Sequence, residues 1–204
     1  MKTTTLVILT FITASVGYAC NDKPKMPDKD EKFEHVKAVE GSGTPTVPTL
    51  DETISAKRQS AEGTLSNEKK NRANISFSVE IPAGTALEKD DGLQGVWFAL
   101  GFPGIAKERT YKTVPRIEIA YATAGGLTLE EKTKDWEFKK MTINNSEKQS
   151  NGFKASAASD RTLEAVVLWD VNGEKVRCGA LFTGEEKAKA EAFIFDVCES
   201  VTFK

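Results

Sequence analysis

Polar and apolar positions alternate in several short stretches along the chain from residue 74 onward. Residues 75–79 read Ile-Ser-Phe-Ser-Val, the period-two pattern of a half-buried strand. Pro82-Ala83-Gly84 then stops it. Residues 96–100 form a short apolar run closed by Gly101-Phe102-Pro103-Gly104, and residues 116–122 alternate again through Ile117, Ile119 and Tyr121. The period then lengthens. Residues 128–138 read as a helix, with Thr128 and Glu131 spaced for a capping box and Leu129, Lys132 and Trp136 near one face. Residues 163–171 and 175–182 are two strand-like runs joined at Asn172-Gly173, a dipeptide that favours the positive φ values of a type I′ hairpin turn. In the second run Val176, Cys178, Ala180 and Phe182 share one face. Thr183-Gly184-Glu185-Glu186 repeats the capping-box spacing, and a helix to about Cys198 follows with Ala190, Phe193 and Val197 aligned. Residues 200–204 read as a last short strand. The expected fold class is therefore α/β, in one domain spanning residues 74–204.

The first seventy-odd residues have a different pattern. Met1-Lys2 and three threonines precede an apolar run over residues 6–16, and Gly17 and Ala19 supply small residues after it. That order is the n-region, h-region and cleavage site of a secretory signal peptide, expected over residues 1–19. The run is shorter than the about 20 apolar residues that a spanning helix needs. Cleavage after Ala19 leaves Cys20 as the first mature residue. Two outcomes stay open: thioether lipidation of Cys20, as in a bacterial lipoprotein, or simple secretion. Of the lipoprotein box, Ala19-Cys20 fit well, whereas Gly17 and Tyr18 depart from it. Residues 20–73 are rich in charge, Pro, Gly, Ser and Thr and poor in aromatics, so little apolar surface is available to offset ordering entropy. They read as a flexible tether, with at most transient helix over residues 31–40 or 50–59.

The chain has three cysteines. Lipidation of Cys20 leaves Cys178 and Cys198, which either bridge in an oxidising compartment or stay as two buried thiols. Parity in an exported chain favours the bridge. Cys178 lies on the core face of a strand and Cys198 ends the following helix, so a bridge ties helix to sheet.

The domain resembles the PsbP/DcrB-like group of α/β lipoprotein and lumenal domains. Three stretches carry the resemblance: Phe77-Ser78-Val79-Glu80-Ile81-Pro82-Ala83-Gly84; the helix start Thr128-Leu129-Glu130-Glu131; and the ending Cys198-Glu199-Ser200-Val201-Thr202-Phe203. The resemblance implies an antiparallel sheet flanked by helices, an α+β arrangement. It also implies a non-enzymatic binding or accessory role, in one form that of an immunity lipoprotein that neutralises a secreted toxin. It carries over no catalytic residue.

Charge and chemistry narrow the classes further. The formal net charge is −2 with both signs interspersed and no basic block, which disfavours a nucleic-acid partner. The single histidine, His35, falls in the tether, so the domain has none for a Ser-His-Asp, Cys-His or histidine-zinc site. Asp90-Asp91-Gly92 with Glu88 nearby, and Asp170-Val171-Asn172-Gly173-Glu174, match no known cation-loop spacing and read as a solvated loop and a plain hairpin. Glu130-Glu131 and Glu185-Glu186 sit where helix starts favour negative charge. No metal, cofactor or catalytic residue is expected. Trp97, Phe98, Phe102 and Tyr111 crowd a Gly- and Pro-rich segment. Burial is the commoner fate of such residues, yet this cluster is the best sequence candidate for a surface that recognises a protein partner. The expected role is a non-catalytic envelope protein, lipid-anchored through Cys20 and facing the periplasm or exterior, or else secreted. A carboxylate hydrolase and a purely structural envelope protein are the alternatives.

Overall fold

The computed structural model describes residues 46–92, 95–110 and 112–204. Cys20 and His35 lie outside the described residues. Ordered elements begin well before residue 74, so the expected tether boundary is corrected. Helix α1 (Leu50–Ser55) starts at a complete capping box: the Glu52 amide donates to Thr49 Oγ1 at 3.2 Å, and the Thr49 amide donates to Glu52 at 2.7 Å. Strand β1 (Arg58–Asn67) pairs antiparallel with β2 (Arg72–Pro82) from Arg58↔Pro82 to Leu65↔Ile75. The alternation of β1 is hidden in the sequence because the positions turned toward the core include Ala61 and Gly63 beside Leu65. Small residues are required there. A Cβ at Gly63 would lie 2.6 Å from the Phe77 ring, which packs edge-on against Phe98 with centroids 5.4 Å apart.

Two further hairpins were not expected. Strand β3 (Ala86–Gly92) pairs in register with β4 (Gly95–Gly101), so Asp90-Asp91-Gly92 ends an edge strand rather than forming a loop. After the short helix α2 (Lys107–Thr110) come β5 (Glu118–Tyr121) and helix α3 (Leu129–Phe138). Strands β6 (Thr142–Gln149) and β7 (Gly152–Ala158) form the next hairpin. The following pair is as expected: β8 (Leu163–Val171) and β9 (Glu174–Phe182) meet at Asn172 and Gly173, with φ 55° and 86°. Helix α4 (Lys187–Glu199) and strand β10 (Thr202–Phe203) close the chain.

Among the described residues these elements form two antiparallel sheets with four α-helices, the expected α+β class. One sheet has the order β1-β2-β10 and the other β3-β4-β5-β9-β8-β7-β6. The main core lies between them. Ile75, Phe77, Val79 and Ile81 of β2 share it with Val176, Cys178, Ala180 and Phe182 of β9, and α4 contributes Phe193, Ile194 and Val197. Both outer strands of the large sheet, β3 and β6, are polar, which discourages pairing with another chain.

A smaller core lies on the opposite face of the large sheet, where Trp136 of α3 packs on Phe153, Ala155, Val166 and Leu168. Thr128 caps α3 as expected, accepting from the Glu131 amide at 3.1 Å, but Glu131 reaches back to the Leu127 amide rather than to that of Thr128. The second expected capping box, Thr183 to Glu186, does not form: α4 begins at Lys187 with Glu186 at its N-cap and no side-chain cap. Gly184 is wedged between the Phe182 ring and the Lys112 carbonyl, so the turn into α4 is set by close packing.

Candidate functional site

Helix α3 covers only part of the outer face of the large sheet. Beside it lies an open groove of about 650 Å³. Strand alternation delivers its charged groups. Glu118 on β5, Arg177 on β9 and Glu164 on β8 all point outward because their neighbours Ile119, Cys178 and Ala165 point into the main core. Lys132, Asp135 and Lys139 enter from α3, and Arg116 from the lead into β5. Ala122 and Val166 leave room between them, and Leu181 stands on the rim with 62% of its surface exposed.

These charges form a ladder across the sheet. Lys107 and Arg116 each approach Glu88 at 3.8 Å. Arg177 donates to Glu118 at 3.1 Å. Lys132 donates to Glu164 at 2.5 Å and lies 3.7 Å from Asp135, which accepts from Lys139 at 2.6 Å. Glu164 also accepts from the buried Trp136 indole N–H at 2.7 Å, so one carboxylate fixes α3 to the sheet. The bond from Lys139, helped by the charges of Lys139 and Lys132 and opposed by partial burial, holds the Asp135 carboxyl below its usual range. The same bond raises the Lys139 ammonium.

Such a site presents fixed charges of both signs on a rigid scaffold. Among the described residues no group of three or more His, Cys, Asp or Glu is arranged to hold a metal ion. No helix among them is long and apolar enough to cross a membrane.

The residues proposed from sequence are placed as follows. Cys178 and Cys198 form a disulfide with Cα atoms 5.5 Å apart. The described aromatics Trp97, Phe98 and Phe102 do not share one face. Trp97 and Phe98 are adjacent on a strand and point to opposite faces. Phe98 is buried in the main core, and Trp97 is half-buried on the outer face with the Arg116 guanidinium 5.3 Å over its ring. Phe102 packs against the core beside a small pocket lined also by Pro48 and Ile105. Tyr111 lies outside the described residues. The groove residues Arg116, Glu118, Lys132, Glu164 and Arg177 were missed. For Glu118, Glu164 and Arg177 the only sequence signal is a lone charge at an outward position of an otherwise apolar strand.

No protein-family model matches the chain, and neither the curated proteins nor the solved structures contain a match.

Proposed function

We propose that the chain is an exported, non-catalytic binding domain of the cell envelope, anchored by lipid on Cys20. It holds a protein partner against the outer face of the large sheet, beside α3. The observation that carries this reading is the groove itself: a cross-sheet ladder of paired charges with an exposed Leu181 on its rim. Paired charges on a rigid face favour orientation and selectivity in a protein contact.

A narrower form is a toxin-neutralising immunity lipoprotein of the PsbP/DcrB-like group. Its support is the signal-like start, Cys20 and the three stretches of sequence resemblance. Two measurements test the proposal. Intact mass of the mature protein should show a diacylglyceryl adduct on Cys20, and an unmodified Cys20 terminus sinks the anchor. Titration of a secreted toxin encoded beside this gene should yield a stable complex. Arg177→Glu, which sets a like charge against Glu118 and reverses one step of the ladder, should weaken that complex by about tenfold or more, the effect of one lost charged contact. Full binding by the variant would move the interface elsewhere.

A further inference from the structure

The sequence contains two Asn-Gly pairs, Asn151-Gly152 and Asn172-Gly173, and the fold places each at a hairpin tip. Asn-Gly is the dipeptide most open to succinimide chemistry, because glycine puts no side chain in the way of its own amide nitrogen. The Gly nitrogen attacks the Asn Cγ, forming a new N–C bond. The Cγ–Nδ2 bond breaks, and ammonia leaves with the proton given up by the amide. Water then opens the ring at either carbonyl, leaving aspartate or isoaspartate. Nothing is oxidised or reduced. The reaction needs an amide that can release its proton and a backbone that lets the nitrogen swing toward Cγ.

Both requirements are obstructed at Asn172. The Gly173 N–H donates to Asp170 Oδ1 at 2.9 Å, and Lys175 Nζ holds the other oxygen of that carboxylate at 2.8 Å. Deprotonating the amide would set a negative nitrogen against a negative carboxylate, so this charge-assisted bond opposes the first step. The turn is also fixed from both sides, since β8 and β9 pair without interruption from Val171↔Glu174 to Leu163↔Phe182. Asn172 is nevertheless exposed to solvent. The Asp170 carboxyl is itself held below its usual range by Lys175 and the Gly173 amide, so the acceptor stays ionised at neutral pH.

At the other tip, Asn151 is also exposed, and its carbonyl accepts the Asp170 amide at 2.6 Å. Asn151 lacks the positive φ of Asn172. Asn151 and Gly152 line one cleft with the start of α3 and with Asp170 and Lys175, the residues that flank the other tip, so Asn151 offers a nearby internal reference.

We propose that Asn172 is a latent deamidation and isomerisation site, kept closed by the hydrogen bond from the Gly173 amide to the Asp170 carboxylate. The consequence of opening it is large for one residue. Aspartate at 172 adds a third carboxylate beside Asp170 and Glu174. Isoaspartate adds a carbon to the main chain inside a two-residue loop whose geometry sets the register of β8 and β9. Cys178 and the whole core face of β9 depend on that register.

The test is to age the full chain at neutral pH and follow both sites by peptide mass, with isoaspartyl methyltransferase labelling to detect the isomer. In Asp170→Ala, deamidation at Asn172 should accelerate by about tenfold, the rate equivalent of one charge-assisted hydrogen bond, while Asn151 keeps its rate. Asp170→Asn retains an acceptor without the charge and should fall between. An unchanged Asn172 rate in Asp170→Ala overturns the proposal. So does a rise at Asn172 and Asn151 by the same factor, which would report general loosening.

Discussion

Glu164 and Asp135 are both carboxylates beside lysine, and they do different work. Glu164 bridges the Trp136 indole and Lys132, so it holds α3 on β8. Asp135 lies at the groove, with Lys139 as its main partner. Its carboxyl is depressed when folded, so its contribution to stability is present above the unfolded value of about 4 and is lost as pH falls through the lower folded value. Unfolding midpoints measured in urea should therefore decline on acidification through that window. Asp135→Asn should flatten part of the decline, and an unaltered pH profile in the variant would place the effect on other groups. Lys132 and Lys139 are legible in the sequence as charges on a helix. Their spacing of three and four residues from Asp135 is legible too, but the pairing of Lys132 with Glu164 on β8 is not, because it depends on which turn of α3 lies over which strand.

At the level of elements, strong alternation made strands readable and weak alternation hid them. β2, β4, β5, β8 and β9 carry large apolar residues at their inward positions, and all were recognised. β1, β3 and β6 are edge strands, and β7 places Ala155, Ala157 and Gly152 where a larger side chain would announce a strand. Edge strands bury less and need less apolar surface, so their sequences resemble loops. Gly63 shows what β1 supplies instead of bulk. Gly63→Ala would force a methyl into the Phe77–Phe98 pair and should cost about 1–3 kcal/mol. The check is the denaturant midpoint, and a neutral result would mean that the rings shift freely. Capping was read with partial success for the same kind of reason. Thr128 needs only its own helix, whereas the entry to α4 is also crowded by the carbonyl of Lys112, which is distant in sequence.

Across the whole molecule, the Cys178–Cys198 bridge joins the centre of the large sheet to α4, the helix that shares the main core. Both cysteines are fully buried. The bridge closes a loop with a sequence separation of 20, which corresponds to about 3 kcal/mol of unfolded-chain entropy. Replacing both cysteines by alanine should lower the unfolding midpoint by that order while far-ultraviolet circular dichroism keeps its native shape. Loss of the native spectrum would show that the bridge is needed for the fold itself. The sequence alone determined the fold class, the central hairpin at Asn172-Gly173, the inward face of β9 and the plausibility of the bridge. Each of these follows from local periodicity, turn chemistry or cysteine parity. Only the tertiary structure decided that ordered chain begins before β1, that Trp97 and Phe98 part to opposite faces, and that Arg177 meets Glu118 beside α3. Those facts arise from strand order and helix placement, which bring together residues that no local pattern relates.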